Sequence, residues 1–235
     1  MIMKKTIINM AASGLCAVAM TGCGNATSNQ PEVTAEKART EISADSIIKL
    51  TEPDKTLDVS LMQALSDRQS RREYSDKQIS LEELSTLLWA ANDINREDGK
   101  RTAPSAVNSQ DIDIYVCMAS GAYLYDAQQS QLARVTTEDL RPAVCGQQEV
   151  DAPVFLVLVA DLSCYPEGLA SQRAAVESLG GMDAGYVSGN IGLFCSAAQL
   201  ATVPRASMDK AALTKALNLT DTQILVLNNP VGYMK

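Results

Sequence analysis

Three guanidinium groups fall within five residues at Arg68-Gln69-Ser70-Arg71-Arg72, followed by Glu73-Tyr74, in an otherwise acidic chain. Guanidinium forks pair bidentately with phosphate oxygens, so such a cluster can hold an anionic ligand. The alternative is that cations after a helix only offset its macrodipole. Two further stretches could meet a ligand. In Pro104-Ser105-Ala106-Val107-Asn108-Ser109-Gln110 the proline suits a first helical turn, and Asn108 reads either as a ligand contact or as a capping amide. Val203-Pro204-Arg205-Ala206-Ser207 reads as a turn after a long apolar helix. The chain closes on Pro230-Val231-Gly232-Tyr233-Met234-Lys235, and Lys235 is either one more cation for the ligand or a solvated end.

Composition narrows the chemistry. The chain has no histidine, which excludes Ser-His-Asp and Cys-His nucleophile systems and histidine metal sites. It has no C-x-x-C, G-x-G-x-x-G, Walker loop or G-x-S-x-G. No metal ligand and no protein nucleophile are assigned, and an enzyme of this composition borrows its chemistry from a cofactor. The formal charge is -8; without the first 22 residues, 18 basic side chains face 28 acidic ones, a net -10. Nucleic acid is therefore not an expected partner, because a duplex backbone needs a basic face.

The elements that would position these residues form one domain, expected over 56–235 of the 235 residues. Residues 1–23 read as a bacterial lipoprotein signal. Lys4 and Lys5 precede a short apolar run, and Met20-Thr21-Gly22-Cys23 resembles a lipobox with Cys23 as the lipidated residue. The alternative is ordinary cleavage. Residues 24–55 are expected as a flexible tether and an extended lead-in. The chain would then be exported and lipid-anchored in the bacterial envelope, periplasm-facing, touching membrane only through the anchor. Cys145 and Cys164 are the more plausible disulfide pair, with connectivity open; Cys117 and Cys195 sit in apolar segments as buried thiols.

Helical spacing predicts helices over Leu57–Asp67, from Ser80 with a Ser80-to-Glu83 capping box, over Thr137–Cys145, over Met182–Leu200 and over Met208–Leu217. Asp111–Met118 and Ala122–Tyr125 form a hairpin broken at Gly121, the apolar run Pro153–Ala160 is a central strand, and Gln223–Leu227 is the last strand. Gly185, Gly189 and Gly192 inside the long helix suggest close helix packing. Strands and helices mix without regular alternation, so the class is α+β.

The order and spacing of the Arg68–Arg72 stretch, Pro104–Gln110, the Gly189-Asn190 helix leading to Val203-Pro204, and Pro230–Tyr233 resemble the FMN-dependent nitroreductase family, over Leu57–Lys235. The resemblance implies a mainly antiparallel sheet flanked by helices, in an intertwined homodimer with FMN at the interface. It implies that Arg68, Gln69, Ser70 and Arg72 grip FMN, with Arg68 at the phosphate and Arg72 at the pyrimidine edge. Pro104, Ser105 and Asn108 would reach the flavin of the other subunit. Pro204, Arg205, Ala206 and Ser207 would lie by N5, and Lys235 is a possible phosphate ligand. The implied activity is ping-pong two-electron transfer from NAD(P)H, or a quinone or protein donor, to a small nitroaromatic- or quinone-like acceptor. The similar azoline-oxidising dehydrogenases share this fold and cofactor, but nothing marks a peptide groove. Ala206-Ser207 stands where the family usually has an acidic residue and glycine, and serine's Cβ hinders close backbone approach. That departure favours a second reading, a lipoprotein that uses the fold as a non-catalytic binding or interaction module.

Overall fold

The computed structural model describes residues 40–235, so the expected signal, Cys23 and the first part of the tether lie outside the described residues. In chain order the elements are β1 (Ile47–Lys49), α1 (Leu61–Asp67), α2 (Leu81–Asn92), β2 (Ile112–Met118), β3 (Gly121–Asp126), β4 (Gln131–Thr136), α3 (Arg141–Cys145), β5 (Val154–Asp161), α4 (Glu167–Ala170), α5 (Arg173–Ala197), β6 (Leu200–Thr202), α6 (Lys210–Ala216) and β7 (Gln223–Tyr233). The seven strands make one antiparallel sheet in the order β1-β4-β3-β2-β5-β7-β6. The class is α+β, as expected. No helix among the described residues is long and apolar enough to cross a membrane.

The unbroken apolar run of β5 places it between β2 and β7 with both faces covered. Leu156, Leu158 and Ala160 face the side on which α2 and α5 pack, while Phe155, Val157 and Val159 face α3 and α6. Each fully buried leucine of this core contributes about 1.5–3 kcal/mol. Helix α2 begins at the capping box read from the sequence: Ser80 Oγ accepts from Glu83 N and a Glu83 carboxylate oxygen accepts from Ser80 N. Its Leu84, Leu87, Leu88 and Ala91 are fully buried against the sheet and α5. The β2–β3 turn needs glycine. Gly121 has φ +133°, and a Cβ there would stand 2.2 Å from Thr136 O.

Several expected boundaries move. Helix α1 starts at Leu61 rather than Leu57, because Ser60 caps it. The helix expected over Thr137–Cys145 forms only from Arg141, with Pro142 in the first turn, where its missing N–H costs nothing. The long helix starts at Arg173 rather than Met182; its added turns carry Gly180-Gly181, a pair that disfavours helix, and bury only Val176 and Gly180, so periodicity passed over them. Strand β7 runs past Leu227 to Tyr233 despite Pro230. Residues 40–55 do not hang free of the fold: Leu81 N donates to Thr40 O, and β1 pairs with β4. Cys145 and Cys164 are free thiols near opposite ends of β5, which rules out their pairing with each other in this fold.

Among the described residues the glycine stripe Gly185, Gly189 and Gly192 has no helix against it. A Cβ on Gly185, Gly189 or Gly192 would meet nothing within 4 Å among the described residues, whereas one on Gly180 would stand 2.8 Å from Ala160 Cβ. Gly180 is the close contact between α5 and the sheet. The other three open outward.

Candidate functional site

Arg68 caps the C-terminus of α1, with its N–H on Ala64 O, and α1 is itself tied to the C-terminal end of α5 by Ser196 Oγ donating to Ala64 O (2.8 Å). The chain then runs extended beside β6. Arg71 N donates to Thr202 O (3.0 Å), Tyr74 bridges to Met234, and Ser75 N donates to Tyr233 O (2.9 Å). Tyr74 is buried and donates its hydroxyl to Arg71 O. Arg68, Gln69, Ser70 and Arg72 are exposed, and Arg68 and Arg72 have no carboxylate partner among the described residues. Arg71, counted in the cluster from sequence but given no contact of its own, is half-buried beside Gln69 and Cys195 in a cavity of about 20 Å3. The Tyr74–Met234 bridge brings exposed Lys235 next to this stretch.

Pro204–Ser207 follows β6 and so lies at the same edge. Arg205 N and O exchange hydrogen bonds with Asn228 O and N at 2.8 and 2.7 Å. The Arg205 guanidinium turns inward, donating to Val144 O, Cys145 O, Gln148 Oε1 and Asn228 Oδ1. Pro204, Ala206 and Ser207 are exposed, and the Ala206 and Ser207 amides have no acceptor among the described residues.

The third stretch is held elsewhere. Ala106–Asn108 is a 3-10 turn whose Ala106 N donates to Asp183 Oδ2 (2.8 Å), while Ser105 Oγ accepts from Gln110 N (2.9 Å). Val107, Asn108 and Gln110 have φ of 49°, 55° and 51°. Left-handed backbone is costly for a β-branched residue, and Val107 and Asn108 are nonetheless exposed. Asp183 and Asp111 are both buried, and the Tyr165 hydroxyl lies 3.1 Å from Asp111 Oδ2 and 3.3 Å from Asp183 Oδ2. Burial pushes the Asp111 carboxyl up, Ser109 donating to it opposes that, and Asp183 adds to the rise. Asp183 sits near the middle of α5 and Ser196 near its C-terminal end, thirteen residues or roughly 20 Å apart. Within one chain, therefore, Arg68–Arg72, Pro204–Ser207 and Lys235 gather at the C-terminal end of α5, and Pro104, Ser105 and Asn108 stand beside its middle, roughly 20 Å away.

Sequence reading missed Asp183 and Asn228 and gave Arg71 no role apart from the cluster. The one available signal was two adjacent asparagines, Asn228-Asn229, following the apolar Ile224–Leu227.

The carboxylates near the start of β2 yield a stability prediction. Asp113 accepts from Gln223 Nε2, and burial, with Asp161 second, pushes it up to about 6. The folded state then holds this proton more tightly than the unfolded chain. Its stabilising effect is present below pH ~4 and is lost as pH rises to about 6. Asp113→Asn keeps the acceptor oxygen, so it should stabilise the protein by about 1–2 kcal/mol at pH 8 and change little at pH 4. Thermal unfolding at the two pH values checks this, with a shift of about 3–6 °C expected only at the higher.

A sequence model described as the nitroreductase family matches residues 65–233. A candidate nitroreductase of Ralstonia eutropha is similar in structure and sequence, with a TM-score of 0.74 and 32% identity over 84% of this chain and 94% of that one. A candidate nitroreductase of Methanocaldococcus jannaschii is 26% identical over 186 residues, 74% of this chain and 91% of the relative. A nitroreductase family protein of Clostridium difficile shares the fold, with a TM-score of 0.55 and 17% identity over 75% of this chain and 86% of that one.

Proposed function

Because this chain belongs to the nitroreductase family and is an oxidoreductase, we propose that it binds FMN between two copies of itself and passes two electrons from NAD(P)H, or another donor, to a small oxidised acceptor. The observation that carries this reading is the division of the site between the middle of α5, beside Asp183, and its C-terminal end. Along that half the helix turns an open, small and apolar face outward: Gly185, Gly189 and Gly192 have free space above them, and Met182 and Tyr186 are 58% and 53% exposed. Two such helices crossing antiparallel near Gly189 would bring Pro104–Asn108 of one copy to Arg68–Arg72 of the other. Leu61, Met62 and Leu65 of α1, exposed by 64%, 73% and 47%, extend the apolar surface such a pairing would cover.

The residues present fit FMN. Arg68 and Arg72 are cations without carboxylate partners among the described residues, and the Ala206 and Ser207 amides are donors without protein acceptors. When bound, FMN supplies two-electron acceptance and donation. Arg68 would neutralise its phosphate, aided by Lys235, while Arg72 would face the pyrimidine edge, with Gln69 and Ser70 hydrogen-bonding between them. The Ala206 and Ser207 amides would donate at the N5 side, and Pro204 would wall it. Arg205 contributes its backbone and the rigidity of its inward guanidinium rather than a charge on the ligand. Asn108 and Ser105 of the second copy, on the strained turn held by Asp183, would complete the cradle behind Pro104. Donor and acceptor take turns at one face, which is ping-pong order.

The purified protein is expected to be yellow, dimeric, and to release FMN on denaturation. A colourless protein that takes up no FMN on reconstitution overturns this reading and favours a non-catalytic use of the fold. The sequence at Met1–Cys23 supports export and lipid anchoring at Cys23, which metabolic fatty-acid labelling of wild type and Cys23→Ala would test.

A further inference from the structure

Asn228 is fully buried in β7, where an amide left without partners is destabilising. Its hydrogen bonds all go to one loop. Its main chain exchanges two bonds with Arg205, its Nδ2 donates to Arg205 O (3.3 Å) and Ser207 O (3.1 Å), and its Oδ1 accepts from Arg205 Nη1 (3.1 Å). The carbonyls on either side of Ala206 are thus both drawn inward to a single side chain. The amides of Ala206 and Ser207 are what the loop has left to present. Neighbouring Asn229 is equally buried but bonds the other way, to Ser188 Oγ (2.9 Å) on α5 and Thr202 Oγ1 (3.5 Å) on β6.

We propose that Asn228 is a positioning residue, which fixes the direction of the Ala206 and Ser207 amides and through them sets the reduction potential of the bound flavin. This rests on the FMN reading above. Two backbone donors aimed at the ring favour whichever redox state carries more electron density there, and they do so only if the loop cannot turn. Serine at 207, where the family usually has glycine, makes the loop's direction matter more, since its Cβ must point away from the ring. A side chain that grips the carbonyls on both sides of Ala206 supplies that constraint. A buried asparagine with a purely structural role would affect folding stability alone.

The test compares wild type, Asn228→Ala and Asn229→Ala, with Asn228→Ser replacing the alanine variant should that not fold. Two quantities are read: hydrogen exchange of the Arg205 amide in flavin-free protein, and the midpoint potential of FMN-saturated protein. For the Asn228 variant we expect Arg205 exchange at least tenfold faster. We also expect a tenfold change in the ratio of affinities for reduced and oxidised FMN, which is a shift of about 30 mV for a two-electron couple. Asn229→Ala should lower stability and move neither. Faster exchange with an unchanged midpoint, unchanged exchange, or an equal shift in Asn229→Ala each overturns the proposal while FMN binding stands. Absence of FMN binding in wild type removes the underlying reading as well, and that is seen before any variant is compared.

Discussion

Gly189→Leu is expected to leave the protomer folded while removing both its partner copy and its flavin. Gly189 lies exposed on α5 with nothing within 4 Å of a Cβ, so the leucine meets no atom of its own chain. Replacing an exposed helical glycine with leucine should stabilise the isolated helix by roughly 0.5–1 kcal/mol. In the proposed pairing the same position lies where the two helices cross, and a branched four-carbon side chain on each would force them apart. The flavin would then lose every contact made by Pro104, Ser105 and Asn108 of the second copy. Loss of about 3 kcal/mol of binding is a fall of roughly 100-fold in FMN affinity. Sedimentation and FMN titration check both, alongside thermal unfolding of the flavin-free protein. A variant that stays dimeric with wild-type affinity removes α5 from the interface. A variant that is unfolded instead contradicts the open space above Gly189.

The contrast with Gly180 shows why sequence could not sort these glycines. Gly185, Gly189 and Gly192, at three- and four-residue spacing in the expected Met182–Leu200 helix, suggested close packing, while Gly180 fell before its expected start. Only the fold shows that Gly180 packs on Ala160 while Gly185, Gly189 and Gly192 face outward. The features that could be read early are local or strongly periodic: the Ser80–Glu83 capping box, the apolar run of β5, and the exposed Arg68–Arg72 stretch after a helix. Strand β6 has three residues and β4 a mixed pattern, so neither carries a readable period. Arg205 shows the opposite failure. Its place in the turn put it by N5, but nothing local shows that its guanidinium is spent on carbonyls about sixty residues earlier, at Val144 and Cys145. Asp183 and Asn228 were invisible because each acts on a loop distant in sequence, 77 residues away for Ala106 and 21 for Ser207.

Arg72→Ala is expected to lower the flavin midpoint potential, and Arg68→Ala mainly to weaken FMN binding. Both guanidinium groups are exposed and lack a carboxylate partner among the described residues, so neither variant breaks an ion pair of the fold among them. They differ in where the ligand's charge lies. The phosphate carries its charge in both redox states, so a contact there changes the two affinities alike. Reduction places new negative charge at the pyrimidine edge of the ring, so a cation there favours the reduced form. An electrostatic difference of about 1.4 kcal/mol corresponds to about 30 mV for two electrons, which a spectral redox titration resolves. If the cluster instead only offsets the macrodipole of α1, Arg72→Ala would cost a few tenths of a kcal/mol of stability and leave the potential unchanged. Titration of FMN-saturated wild type and Arg72→Ala separates the two. Equal midpoints would remove Arg72 from the pyrimidine edge even with FMN bound, and a shift seen in Arg68→Ala instead would exchange the two assignments.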